Sequence, residues 1–220
     1  MVRENFERRK TEIQAEIEAM LECIENMLHT AIASLHSNDN QTLENTLKKV
    51  GQMDREVNNY EETIYHHCIQ LISLEQPVAS DLRFSIGVLK FIGDLERIGD
   101  HCVHLVKTAH RNIQLEVHSE VPAGLLEMSE RIQQIYRRCR RAIRELDAQL
   151  AQEIIREDEE LDDVHKHFIK ENARLLQNSP ELSDSFVNFM FLSRFIERIG
   201  DHSVNVCEWL IFMSEGTRPS

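Results

Sequence analysis

Glu96-Arg97-Ile98-Gly99-Asp100-His101 returns as Glu197-Arg198-Ile199-Gly200-Asp201-His202, 101 residues further on. Past one mismatch, Cys102 against Ser203, the match resumes at Val103 and Val204. An identical six-residue block recurring at half the chain length marks an internal duplication, and 220 residues then divide into two similar halves. A second alignment, offset by 104, pairs Val50, Asp54, Val57, Asn58, Ile64 and Leu71 with Ile154, Asp158, Leu161, Asp162, Phe168 and Leu175. The duplication therefore spans more than the block that announces it.

Around these blocks the apolar residues keep a three/four spacing. Ile13, Ile17, Leu21, Ile24 and Leu28 mark a first amphipathic helix, and Ser37-Asn38-Asp39-Asn40 supplies turn and N-cap residues after it. Leu43 to Leu71 carries a second helix, which stops near Gln76-Pro77. A third starts at Ser80 or Asp81 and holds Leu82, Ile86, Leu89, Ile92, Val103 and Val106. His118 to Gly124 interrupts the pattern. A fourth helix holds Leu125 to Leu146, and a fifth holds Ile154, Leu161, Phe168 and Leu175 before ending at Asn178-Ser179-Pro180. A sixth runs from about Ser183 through Met190, Val204 and Ile211. Helices joined by short connections pack antiparallel. The expected fold is all-α, two tandem repeats of an antiparallel three-helix bundle: residues 1–117, a junction at 118–124, residues 125–214, and a tail over 215–220.

Composition agrees with that reading and excludes several functions. Aromatics make up 6% of the chain, with seven glycines and four prolines, which fits helices and not a sandwich or barrel. A formal charge of -13 argues against a nucleic-acid partner and is compatible with cations. Cys23, Cys68, Cys102, Cys139 and Cys207 are scattered and odd in number, so neither a disulfide framework nor a thiolate zinc site is expected. The amino terminus is too charged for a signal peptide, and the most apolar window, Phe186 to Ile196, is short and contains Asn188 and Arg194. The expectation is a cytoplasmic protein that does not span a membrane.

The repeated block carries the candidate chemistry. Glu96 and Asp100 lie four apart, so on a helix both carboxylates leave one face. In heptad steps the third helix reads Leu82, Leu89, Glu96, Val103 and the sixth reads Met190, Glu197, Val204, Ile211: a glutamate interrupts each apolar line. An ionised carboxylate there costs several kcal/mol unless something satisfies it. Gly99 and Gly200 stand beside it, where a missing side chain admits a close neighbour. The partner helices add Asp54, Asn58 and Glu61 in one half and Asp158, Asp162 and His165 in the other. Such an oxygen-rich groove suits Mg²⁺, Mn²⁺ or Ca²⁺, and with histidine Fe or Zn.

A plainer reading competes with this one. Glu-Arg-x-x-Asp can form surface ion pairs worth under about 1 kcal/mol, with Arg97 and Arg198 turned onto neighbouring acids. Two copies with acidic partner helices favour the metal reading. Asp162-x-x-His165 resembles half of a diiron motif, without the rest of it. His101 and His202 point about 100° from the adjacent aspartates and are expected to pack rather than ligate, with His104 the better ligand candidate. The basic run Arg137 to Arg144 and the acidic Glu157 to Asp163 are expected to neutralise each other or to be solvated, with a docking face the competing reading. No nucleophile triad, P-loop or dinucleotide fingerprint is present.

At these residues the sequence resembles the PhoU family of bacterial phosphate-signalling proteins. Leu95 to His101 reproduces that family's LERIGDH motif, Ile196 to His202 differs from it only by Ile for Leu, and Gln76 to Arg83 resembles the segment leading into it. Asn205 and Glu208 resemble the polar residues after the second motif. The resemblance covers about residues 5 to 214. It implies metal clusters of Fe, Zn, Mn or Mg held by Glu96, Asp100, Glu197 and Asp201, with Asp54 and Asp158 on the facing helices. Asn58 departs from an expected acid, opposite Asp162 in the second half. The resemblance also implies a non-enzymatic regulator that restrains phosphate uptake and the starvation response. Such a regulator contacts the transporter's ATPase subunit and a sensor histidine kinase. The competing readings are metal storage, a metal-dependent phosphohydrolase, and an accessory subunit of a low-affinity phosphate transporter. A homodimer is expected.

Overall fold

The computed structural model describes residues 2–114, 121–178 and 183–217. Among these the chain forms six helices and no strand: α1 (Val2–Ser34), α2 (Asn40–Glu75), α3 (Ala79–Gln114), α4 (Ala123–Glu145), α5 (Ala148–Asn178) and α6 (Ser183–Glu215). The all-α, six-helix reading holds. Residues 115–117 of the first expected repeat, 118–120 of the expected junction, the Ser179-Pro180 stop and residues 218–220 of the tail lie outside the described residues.

The boundaries follow local chemistry. Asp39 caps α2 by accepting the Thr42 N–H at 2.8 Å. Gln76 closes that helix in the left-handed region, its N–H returning to Ile72 O, and Pro77 prevents continuation. The α4–α5 break contains neither Gly nor Pro. Leu146, expected inside the fourth helix, is instead its left-handed cap (φ 52), with its N–H on the Ala142 and Ile143 carbonyls. Asp147 then caps α5 by accepting the Leu150 N–H at 2.9 Å.

Each half is a three-helix bundle, but the halves are not separate. α3 packs on α6 more extensively than on any other helix, α1 packs on α4, and one continuous apolar core runs through both. α1, α3, α4 and α6 thus form a central layer, with α2 and α5 on its two sides. Tyr136 of α4, fully buried, donates to Leu21 O of α1 at 3.0 Å. Arg140 of α4 reaches Glu18 and Glu25 of α1 at 2.7 and 2.5 Å. The basic run therefore divides: Arg138 neutralises Glu153 and Glu157 of α5 as expected, whereas Arg140 ties the halves together.

Burial on two sides also shifts the seam. The centre of α3 is Val88, Leu95, Ile98 and Cys102, whereas Leu82, Leu89 and Glu96 lie at its border. The glutamate thus interrupts an edge, not the middle, because α3 must face α2 and α6 together. Ile86, Leu175 and Met190, expected in the apolar stripes, are 36%, 54% and 37% exposed. No helix of the described residues is long and apolar enough to cross a membrane.

Candidate metal centre

Two acidic grooves lie where the outer helices meet the central layer, α2 on α3 and α5 on α6. The second is the more compact. Asp158 and Asp162 of α5 and Asp201 of α6 each offer an oxygen, all within 4.8 Å of one another. Glu197 joins them from α6, its side chain 12% exposed, with Oε1 3.9 Å from His165 Nδ1. Gly200 allows the approach: a Cβ there would collide with Asp158 Oδ1 and stand 2.9 Å from Leu161 Cδ2.

In the first groove Asp54 of α2 is half-buried and faces Asp100 and Glu96 of α3, with Glu61 near enough to act on Glu96. Asn58 is exposed. Gly99 does not perform the task of Gly200, because a Cβ there would make ordinary contacts with Val57 Cγ1 at 3.5 Å and Met27 Cε at 3.6 Å. Of the eight candidate ligands, the seven acids are gathered in two grooves, and the eighth, Asn58, is exposed on α2. Glu61 and His165 join the grooves as the sequence placed them, because the i+7 step from Asp54 and Asp158 returns to the same helix face.

The arginine reading is partly realised. Arg97 lies 3.5 Å from Glu96 and 3.3 Å from Asp100, Arg194 lies 2.5 Å from Glu197, and Arg198 lies 2.9 Å from Asp201. These guanidiniums are on the solvent side, their side chains 62%, 47% and 45% exposed. The inner atoms lack hydrogen bonds: Asp54 Oδ1, Asp158 Oδ1, Glu197 Oε2 and His165 Nε2 are all buried without one, with Arg198 Nε no closer than 4.0 Å to Glu197 Oε2. Buried acceptors left bare are costly, and a cation bound between the helices would satisfy them. The donor set, carboxylates with one imidazole, fits a divalent or ferric ion. The residues that would hold it are Asp158, Asp162, Glu197, Asp201 and His165 in one groove, and Asp54, Glu96, Asp100 and Glu61 in the other. A bound ion supplies positive charge that keeps these acids ionised.

The three histidines on the central layer do something else. His101 stacks on His202 at 5.6 Å and on Phe195 at 5.9 Å, and His104 stacks on Phe195 at 5.1 Å. His202 Nδ1 bonds Asp94 Oδ1 at 2.8 Å. They line the α3–α6 joint, and His104 also lies near enough to Asp54 to act on it.

The grooves and this joint give opposite pH dependences. Desolvation, and then Asp162, Asp201 and Glu197, push Asp158 from 3.8 up to about 7, and desolvation first of all raises Glu96, Glu197 and Asp54 too. A raised acid contributes stability that is fully present below its unfolded value near 4 and is lost as pH rises through its folded value. Desolvation lowers His101 to about 4, so its contribution is lost as pH falls through about 6.5 towards 4. Chelator-treated protein is therefore expected to melt highest on the mildly acid side of neutrality and lower at pH 8. Adding metal should abolish the alkaline decline. Melting curves across pH 5–9 with and without chelator check this, and a chelated protein most stable at pH 8 would contradict it.

Comparison with known proteins accounts for the doubled architecture. The family described as the PhoU domain matches residues 17–109 and again 125–210. A phosphate-specific transport system accessory protein PhoU homolog from Pseudomonas aeruginosa is 29% identical over 219 residues, covering 98% of this chain and 88% of that one. The Escherichia coli phosphate-specific transport system accessory protein PhoU is 28% identical over 204 residues, covering 93% and 83%. The crystal structure of PhoU from Pseudomonas aeruginosa superimposes with a TM-score of 0.87 at 28% identity, covering 96% of this chain and all of that one.

Proposed function

The chain belongs to the PhoU family, and from that premise we propose that it is a non-enzymatic accessory regulator of phosphate-specific transport. In this reading it works in the cytoplasm and restrains phosphate uptake and starvation signalling through contacts with the transporter's ATPase subunit and a sensor histidine kinase. Metal ions in the two grooves hold its surface in the shape those contacts need. The observation that carries the reading is the near-complete coverage, in both directions, of accessory proteins of phosphate transport.

An adaptor needs a surface to offer, and the second groove opens onto one. Val187, Met190 and Phe191 are 46%, 37% and 50% exposed, and with His165, Ile169 and Arg194 they line a depression of about 350 Å³. Exposed apolar clusters of this kind favour interaction over solubility. An ion drawing α5 onto α6 through His165 and Glu197 would fix the depression's walls, which supports the coupling of metal to docking.

The test is a deletion strain carrying a reporter for the phosphate-starvation response. Deletion is expected to leave the reporter on in phosphate-rich medium. The wild-type gene should switch it off again, and Glu96→Ala/Glu197→Ala should not. Normal repression in the deletion strain would overturn the regulatory reading.

A further inference from the structure

The duplication has not preserved two equal grooves. The geometry points to unequal cation sites: the α5–α6 groove is pre-assembled, fills first and selects an imidazole-accepting transition ion, and the α2–α3 groove fills later and less selectively. This inference rests on the metal reading given above and extends it to the division of labour between the halves.

Three differences carry it. The first is distance. Two oxygens on opposite sides of one transition-metal ion stand about 4.2 Å apart, since each bond is about 2.0–2.2 Å. The oxygens of Asp158, Asp162 and Asp201 lie within 4.8 Å, so closing on an ion needs movements below an ångström. Among the described residues no trio in the α2–α3 groove lies so close. Asn58, aligned with Asp162, is exposed and brings a neutral amide where the second groove brings charge. Ligand charge and rigidity are the quantities that tune affinity in such oxygen sites.

The second difference is depth. Asp158 is more than nine-tenths buried because Gly200 lets it rest against α6. Asp54, whose Oδ1 is likewise unpartnered, is only half-buried, and the atoms facing Gly99 are those of Val57 and Met27. An anion that is already desolvated gains more from a cation than one that must first give up water.

The third is the ligand set. His165 stands where the first groove has Glu61, and its Nε2 is buried without a partner. Imidazole suits Fe, Zn and Ni-like ions more than Mg²⁺; in the second groove it faces Glu197, whereas His104, near Asp54 in the first, is stacked on Phe195.

Chelator-treated, full-length protein should be titrated with Co²⁺, following visible absorption and calorimetric heat, and separately with Mg²⁺. Two Co²⁺ steps are expected, with affinities about tenfold or more apart. Asp158→Asn should remove the tighter step and Asp54→Asn only the weaker one. His165→Gln should cut the preference for Co²⁺ over Mg²⁺ at the tight step at least tenfold, and Asn58→Asp should bring the two steps together. Circular dichroism confirms that each variant remains helical. Two indistinguishable steps, or loss of the tight step in Asp54→Asn, would overturn the inequality while leaving metal binding standing. No uptake of Co²⁺, Mg²⁺, Fe²⁺ or Zn²⁺ would overturn both.

Discussion

Alanine at Gly200 should destabilise the protein and open the second groove, whereas alanine at the duplicate position, Gly99, should stabilise it. Both glycines lie inside helices, where replacement by alanine is worth up to about 1 kcal/mol from backbone entropy alone. The difference is in what the added methyl meets. At Gly200 it collides with Asp158 Oδ1 and presses to 2.9 Å on Leu161 Cδ2, both held on α5. Overpacking of that kind costs about 1–3 kcal/mol, which outweighs the propensity gain. At Gly99 the nearest atoms are 3.5 and 3.6 Å away, ordinary contact distance, so the propensity gain stands. For a chain of this size 1 kcal/mol moves the melting temperature by about 2–4 °C. Thermal melts of the two variants should thus diverge in sign, with Gly200→Ala losing tight-site metal as Asp158 is pushed aside. Equal melting temperatures for the two would mean that Asp158 does not lie against α6.

The second large effect is on metal content. Purified wild-type protein is expected to carry metal by elemental analysis, and Glu96→Ala/Glu197→Ala to fall to background. Those glutamates are desolvated and faced by Asp100 and Asp201, which makes them a burden on the metal-free fold. Removing them should therefore leave the chelated protein at least as stable as wild type. Metal reverses the ranking: an ion at a hundred times its Kd adds about 2.7 kcal/mol to any form that binds it. Wild type should gain on metal addition and the double variant should not. Equal metal content in the two proteins would remove the site assignment, and would leave the family assignment intact because that rests on the whole chain.

Much of this was readable before any coordinates. Helix number and type followed from periodicity, and the Asp39 cap and the Pro77 stop from residue chemistry. The α4–α5 break was not, since Leu146 takes a left-handed conformation for which it has no intrinsic preference. Seven of the eight candidate ligands are gathered as expected, because an i+4 step on a helix keeps two carboxylates on one face whatever surrounds them. Asn58 obeys the same step and is exposed on its helix. Ile86 and Leu175 were misjudged through neighbours that the local pattern does not contain.

By itself, then, the sequence determined the duplication, the helical class and the identity of the acids, since each depends on spacing along one chain. Only the tertiary structure decided that the halves share one core and that Arg140 bridges them. It also decided that one of two identical hexapeptides stands before a tight acidic trio and the other before a loose one. The physical reason is that distances between helices are set by the side chains of both partners. Leu161 and Asp158 opposite Gly200 are not Val57 and Asp54 opposite Gly99, although the glycine and its flanking residues are the same.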